Sequence, residues 1–200
     1  MAHVRPLYGL VLSGGQSRRM QQDKAYLGYQ GQPQLQRAYA LLQSRVDRCF
    51  ISVREAQTDD ALRSTLPQIV DQLADCGPVA GILAAMHAYP DVGWLVIACD
   101  LPLLDAPTLQ RLITSRFHEG GATAYASVVD ARPEPLCAIW EPSCRTALHA
   151  CIDHGGASLR HAMAHLQLRL LDVKDPTVLI NTNTPADASY VRTINPALRE

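Results

Sequence analysis

Short apolar runs closed by turn residues alternate with stretches of helical periodicity along most of this chain. "YGLVL" leads straight into Ser13-Gly14-Gly15, the form of a buried parallel strand leaving its sheet. "QPQLQRAYALLQSR" places Leu35, Ala38, Leu41 and Leu42 on one helical face, with Pro33 near its start. "RCFISV" reads as a second strand, "ALRSTL" as a short helix, and "QIVD" as a third strand stopping at Asp71. "GPVAGILAAMHAYP" is a Gly-Pro turn feeding an apolar helix that ends at Pro90. "GWLVIACD" carries the strongest strand pattern and terminates at Asp100.

The second half is less regular. "APTLQRLITSRF" predicts a helix, while "ATAYASVV" and "PLCAIW" predict strands. "SCRTALHACIDHG" and "SLRHAMAHL" read as helices separated by Gly155 and Gly156, and "LRLLDV" as a last strand. "TPADASYV" is a helix with Thr184 as its cap and Pro185 in its first turn. Strands alternating with helices imply an α/β fold, a three-layer αβα sandwich around a mainly parallel sheet. No repeat, linker or low-complexity segment interrupts the 200 residues, so one domain is expected over 1–200, with its core at about 8–192.

Composition narrows the function classes. The chain is 48% hydrophobic and 18% charged, an ordinary globular balance, and its formal net charge of -1 gives no basic footprint for nucleic acid or a membrane surface. No apolar run approaches the roughly 18 residues needed to span a bilayer. The six cysteines contain no CxxC, and the N-terminal apolar run is too short for a secretory leader, so free thiols and a cytoplasmic location are expected.

In open α/β sheets, ligands bind beyond the carboxyl ends of the strands. That rule brings Ser13-Gly14-Gly15, Asp71 and Asp100 to one sheet edge, a site suited to a metal-bound nucleotide. "LSGGQ" at Leu12 matches the signature peptide of transporter-type ATPases, but such enzymes also need an upstream GxxxxGK[ST] loop. Lys24 and Lys174 are the two lysines of the chain, and neither follows a glycine. The match is accidental. A glycine turn can instead aim backbone N–H groups at an anion, and Arg18, Arg19 and Lys24 in the same loop would hold a triphosphate. A bare strand-to-helix turn with solvated arginines is the plainer alternative.

"LSGGQSRRMQQDK" resembles the LxGGxSxRMGxDK signature of the nucleotidyltransferases that mature the molybdenum cofactor. "GPVAGILAAM", "VIACDLPLLD", "PEPLCAIW", "GGASLRHAM" and "NTNTP" agree in order and spacing, from about Gly9 to Tyr190. The chain is most similar to the molybdenum cofactor guanylyltransferases. This resemblance implies a Rossmann-like fold and transfer of GMP from Mg-GTP (Mn²⁺ as a possible substitute) to the phosphate of molybdopterin or molybdenum cofactor. It also implies transient contact with proteins that make or accept the cofactor. It assigns Leu12, Ser13 and Gly14, with Gly15 beside them, to the base and ribose. Lys24, with Arg19, goes to the phosphates, Ser52 and Asp71 to the nucleoside end, and Asp100 to the metal.

Asn181, Asn183, Glu134 and Arg160 fall on the pterin side; a capped helix start would equally explain part of "NTNTP", and solvated surface roles would explain Glu134 and Arg160. His161 and His165, four apart, lack the intervening glutamate and third ligand of a metal motif. Gln21 and Gln22 stand where the family usually has glycine, and Ser52 where it often has asparagine, with Arg54 nearby to compensate. A cytidylyltransferase using CTP, with LAAG in place of LSGG, is the nearest rival. A non-catalytic module binding GTP or the cofactor is the alternative from another class.

Overall fold

The computed structural model describes residues 5–15, 22–73, 76–153 and 158–198. In chain order the elements are β1 (Leu7–Leu12), β2 (Gly28–Tyr29), β3 (Gln32–Pro33), α1 (Gln34–Gln43), β4 (Arg48–Arg54), β5 (Gln68–Asp71), α2 (Gly77–Ala88) and β6 (Gly93–Ala98). They continue with α3 (Ala106–Thr114), β7 (Ala122–Ala126), β8 (Pro133–Trp140), α4 (Arg145–Asp153), α5 (Leu159–Met163), β9 (Leu168–Asp172) and α6 (Pro185–Ile194).

Seven strands form one sheet in the order β5-β4-β1-β6-β8-β7-β9. β5, β4, β1 and β6 run parallel, β8 is antiparallel to both its neighbours, and β9 is parallel to β7. The chain steps outward from β1 through β4 to β5, then returns to place β6 on β1's other side. β1 and β6 therefore flank the point where the strand order reverses, which is where such sheets open a ligand crevice.

The central strands are apolar on both faces because helices cover both. Leu7 and Val11 of β1, with Leu95 and Ile97 of β6, face α1 and α3 through Leu35, Leu42, Leu109 and Leu112. Leu10, Trp94 and Val96 point the other way, into Val79, Ile82 and Met86 of α2 and the apolar sides of α4 and α5. α6 lies apart, packing Val191 on Leu27 and Tyr29 of the small β2–β3 hairpin. That hairpin follows Lys24 directly, so α6 buttresses the segment carrying the lysine.

The structure departs from the sequence expectations in a few places. "ALRSTL" yields a single 3₁₀ turn at Arg63–Thr65, because Pro67 and the start of β5 leave no room for a longer helix. β7 ends at Ala126, and Val128 and Val129 are exposed in the turn to β8, where Ala131 adopts a positive φ of 55°. Pro33 stands at the N-cap of α1, near its start as the sequence suggests. β6 ends at Ala98, leaving Cys99 and Asp100 in the turn beyond it. No disulfide joins any of the six cysteines, and five of them are buried.

At the opposite edge of the sheet, Arg116 and Glu141 form a buried bidentate pair, with Nε–Oε1 at 2.6 Å and Nη2–Oε2 at 3.0 Å. Arg116 also donates to the carbonyl of Arg5, tying the start of β1 to the end of β8. Arg116→Met strands the Glu141 carboxylate in the core and is expected to cost about 3–5 kcal/mol. Urea unfolding monitored by far-UV circular dichroism measures this, and a loss below about 1 kcal/mol would contradict it.

Candidate nucleotide and metal site

The backbone leaving β1 is held by β4. Ser13 donates to the Ser52 carbonyl through its N–H (3.2 Å) and its hydroxyl (2.8 Å). Ser52 in turn donates its hydroxyl to Asp71 Oδ1 at 2.7 Å. This wall tolerates only close neighbours without side chains. A Cβ on Gly81 of α2 would stand 2.3 Å from Ser52 Oγ, and one on Gly14 would stand 3.3 Å from Asp71 Oδ2. Burial pushes the Asp71 carboxyl up to about 6, with the Ser52 hydrogen bond and the Arg54 charge pulling the other way.

The other half of the site is built around Asp100, just past β6. Cys99 N–H donates to the Leu12 carbonyl (3.1 Å), and Thr182 N–H donates to the Asp100 carbonyl (2.9 Å), so Asp100 sits between β1 and the "NTNTP" segment. Lys24 Nζ lies 2.7 Å from Asp100 Oδ2 and also donates to Asn183 Oδ1. Asn183 is placed by the start of α6, where Asp187 accepts from the Asn183 N–H (2.9 Å) and the Thr184 N–H (2.8 Å). Thr184 caps that helix and Pro185 opens it, as the sequence suggests.

Asp100 Oδ1, by contrast, is buried with no hydrogen-bond partner among the described residues. A buried carboxylate oxygen without a donor is costly unless a ligand satisfies it. Among the described residues no group of three His, Cys, Asp or Glu side chains could enclose a metal. One open carboxylate without a protein cage fits a hard cation such as Mg²⁺, which takes one or two carboxylates and completes its shell with water and phosphate oxygens.

Leu12 to Gly15, Lys24, Ser52, Asp71 and Asp100 all line one cleft of about 750 Å³. Ser52 and Asp71 stand at one end of it, Lys24 and Asp100 at the other. Arg19, with Arg18 and Gln21, lies outside the described residues. On the far side, Asn183 reaches Lys24, and Asn181 is half-buried two residues before it. Arg160 is committed to ion pairs with Asp130 (3.0 Å) and Glu134 (3.5 Å). Burial raises the Glu134 carboxyl and Arg160 lowers it; Glu134 does not line the cleft. His161 and His165 stack edge-on with ring centres 5.0 Å apart.

Two features escaped sequence pattern. Gly81 sits mid-helix, where its role is visible only beside Ser52. Arg63 is almost wholly buried behind Ser13 and Asp23 of the cleft, yet in "ALRSTL" it is one of three polar residues between leucines, with nothing to mark it.

Because the folded protein raises the Asp71 carboxyl, Asp71 favours the fold in its protonated form. That contribution is present below about pH 4, is lost as pH rises through about 6, and leaves a charge penalty above. Asp71→Asn is expected to stabilise the protein by about 1–2 kcal/mol at pH 7.5, after allowance for solvent screening. The gain shrinks toward zero below pH 4. Urea unfolding across this range measures it, and a pH-independent difference would remove Asp71 as its source.

Comparison with known proteins places this geometry in a family. The MobA-like NTP transferase domain matches residues 9–192. A probable molybdenum cofactor guanylyltransferase from a Nostoc species is 30% identical over 187 residues, covering 93% of this chain and 90% of that protein. A molybdenum cofactor biosynthesis bifunctional protein from Synechocystis is 43% identical over 137 residues; the match covers 68% of this chain but 40% of that longer protein. Among solved structures, the molybdopterin-guanine dinucleotide biosynthesis protein A of Archaeoglobus fulgidus shares the fold with a TM-score of 0.76 at 23% identity, covering 94% of this chain and 97% of that one. A Mycobacterium tuberculosis chain solved with manganese shares it with a TM-score of 0.62 at 19% identity, covering 93% and 97%. The chain belongs to the MobA-like NTP transferase family.

Proposed function

We propose that this protein transfers GMP from metal-bound GTP to the phosphate of molybdopterin or molybdenum cofactor, releasing pyrophosphate. The observation that carries this reading is the unpartnered Asp100 oxygen beside Lys24, at the phosphate end of a cleft that opens on the glycine turn. A site that merely held a base would need neither group. The guanylyltransferase names of full-length relatives support guanine as the base and a pterin phosphate as the acceptor.

The backbone of Leu12 to Gly15 receives the nucleoside, with the Asp71 carboxylate as hydrogen-bond acceptor at its guanosine end. Ser52, committed to Asp71, takes the place of the family's asparagine by orienting that carboxylate. Lys24, now on Asp100, would turn to the phosphate oxygens of a bound nucleotide, and Asp100 would then hold the cation. Mg²⁺, or Mn²⁺ in its place, would supply charge neutralisation on the departing pyrophosphate.

An oxygen of the acceptor phosphate attacks the α-phosphorus, and the bond from that phosphorus to the bridging oxygen of the pyrophosphate breaks. A phosphate monoester has its second pKa near 6, so the attacking oxygen is already anionic at neutral pH and needs no general base. No covalent enzyme intermediate forms. Asn181, Asn183, Glu134 and Arg160 border the acceptor side.

Pyrophosphate release from each of the four NTPs, with Mg²⁺ and with or without molybdopterin-type cofactor, tests the whole reading. Cofactor-dependent release with GTP is expected; preference for CTP would move the base choice to the cytidylyl branch, and no release from protein that binds GTP would leave a binding module. Asp100→Ala is expected to lower transfer by about 10³-fold or more while GTP still binds. Full activity in a clean preparation would remove Asp100 as the metal ligand. Lys24→Ala is expected to weaken GTP binding by about 10–100-fold, the worth of a charge-assisted contact, while guanosine changes by less than about twofold; equal losses would place Lys24 away from the phosphates.

A further inference from the structure

We propose that Arg63 is a positioning residue for this transfer: its buried guanidinium ties together the two stems of the phosphate-binding turn and so fixes where the Lys24 ammonium stands. The proposal rests on the reading of Lys24 as the phosphate cation.

Arg63 is 1% exposed, in the 3₁₀ turn between β4 and β5. Its Nη2 donates to the Ser13 carbonyl at 3.0 Å, on the stem leaving β1, and to Asp23 Oδ1 at 3.1 Å, on the returning stem. Asp23 Oδ2 lies nearer still, at 2.8 Å. Asp23 Oδ1 also accepts from Ala25 N–H (3.0 Å), capping the short turn that begins with Lys24. One guanidinium thus joins the residues at either end of the segment 14–22, and its second partner sets the first backbone turn of the lysine.

The other side of Arg63 is equally fixed. Nη1 lies 3.3 Å from Asp60 Oδ1, which also accepts from the Arg63 N–H at 3.0 Å. Asp60 Oδ2 accepts from the Tyr26 hydroxyl (2.8 Å), and that hydroxyl accepts from Leu62 N–H (3.3 Å). Tyr26 belongs to the same 3₁₀ turn as Lys24, so the turn is gripped at Asp23 and again at Tyr26. A lysine could supply the charge but not this planar fork of donors.

A buried charge with two carboxylates is weak evidence of a device for stability alone, since desolvation offsets most of the attraction. Its placement points to geometry. In this structure Lys24 is steadied by Asp100 and Asn183, but the contact with Asp100 must break when phosphates and cation bind. The Arg63–Asp23 tie is outside that exchange and persists through it. Ser13, for its part, is held to Ser52 by two hydrogen bonds of its own, so loss of Arg63 frees mainly the returning stem.

The experiment is a double-mutant cycle on Mg-GTP affinity, with guanosine affinity beside it, in wild type, Arg63→Lys, Lys24→Ala and the double variant. Arg63→Lys is expected to weaken Mg-GTP at least tenfold and guanosine by less than twofold, and to add less than twofold in the Lys24→Ala background. A merely structural role would instead lower both ligands together and multiply with Lys24→Ala, overturning the proposal. If Lys24→Ala alone leaves Mg-GTP affinity intact, the phosphate role of Lys24 fails, and this proposal with it. Should Arg63→Lys not fold, Asp23→Ala takes its place, because Asp60 still neutralises Arg63 there. The same pattern is expected, and additive losses would again refute the idea.

Discussion

The 2.7 Å contact between Lys24 and Asp100 joins residues 76 apart and can form only because β1 and β6 lie side by side and in register. Parallel pairing from Leu7–Gly93 to Leu12–Ala98 brings both strands to the same edge, so the lysine segment after β1 meets the carboxylate after β6. Each side chain is less than one-fifth exposed. In such surroundings neither charge is comfortable alone, and the second Asp100 oxygen is buried with no hydrogen-bond partner among the described residues.

The cleft divides its electrostatics between its ends. At one end, Asp71 is a carboxylate whose burial raises its pKa toward neutrality, held by Ser52 against a helix that comes close enough to require Gly81. Such a group opposes folding at neutral pH, and a strongly perturbed carboxyl in a cleft is the pattern of a binding residue. At the other end, Lys24 faces Asp100, and buried Arg63 ties Ser13 to Asp23 just before that lysine. Stability is supplied elsewhere, by two apolar layers and by the Arg116–Glu141 pair at the far edge of the sheet. That separation lets the site hold unsatisfied groups without unravelling the strands that present them.

How much of this was legible in advance follows from the range of the interactions involved. The strands β1, β4, β5 and β6, the helix α2 and the capped start of α6 were readable because apolar periodicity, Gly-Pro turns and the Thr184-Pro185 cap act over a few residues. The α/β class and the edge bearing Ser13-Gly14-Gly15, Asp71 and Asp100 followed from strand order and the rule for open sheets. The strand that "ATAYASVV" predicts stops at Ala126, because Val128 and Val129, good strand formers, sit in the turn to β8.

The sequence by itself determined which residues could carry nucleotide chemistry and roughly where along the strands they lie, since local pattern and composition are properties of neighbours in the chain. Tertiary structure alone decided which partners they meet. Ser52 reaching Asp71, Gly81 making room for Ser52, Arg160 turning to Asp130 and Glu134, and Arg63 bridging Ser13 to Asp23 are contacts across separations that periodicity does not encode. Packing density sets those distances. A polar side chain among leucines becomes a clamp only when strands from distant parts of the chain close around it.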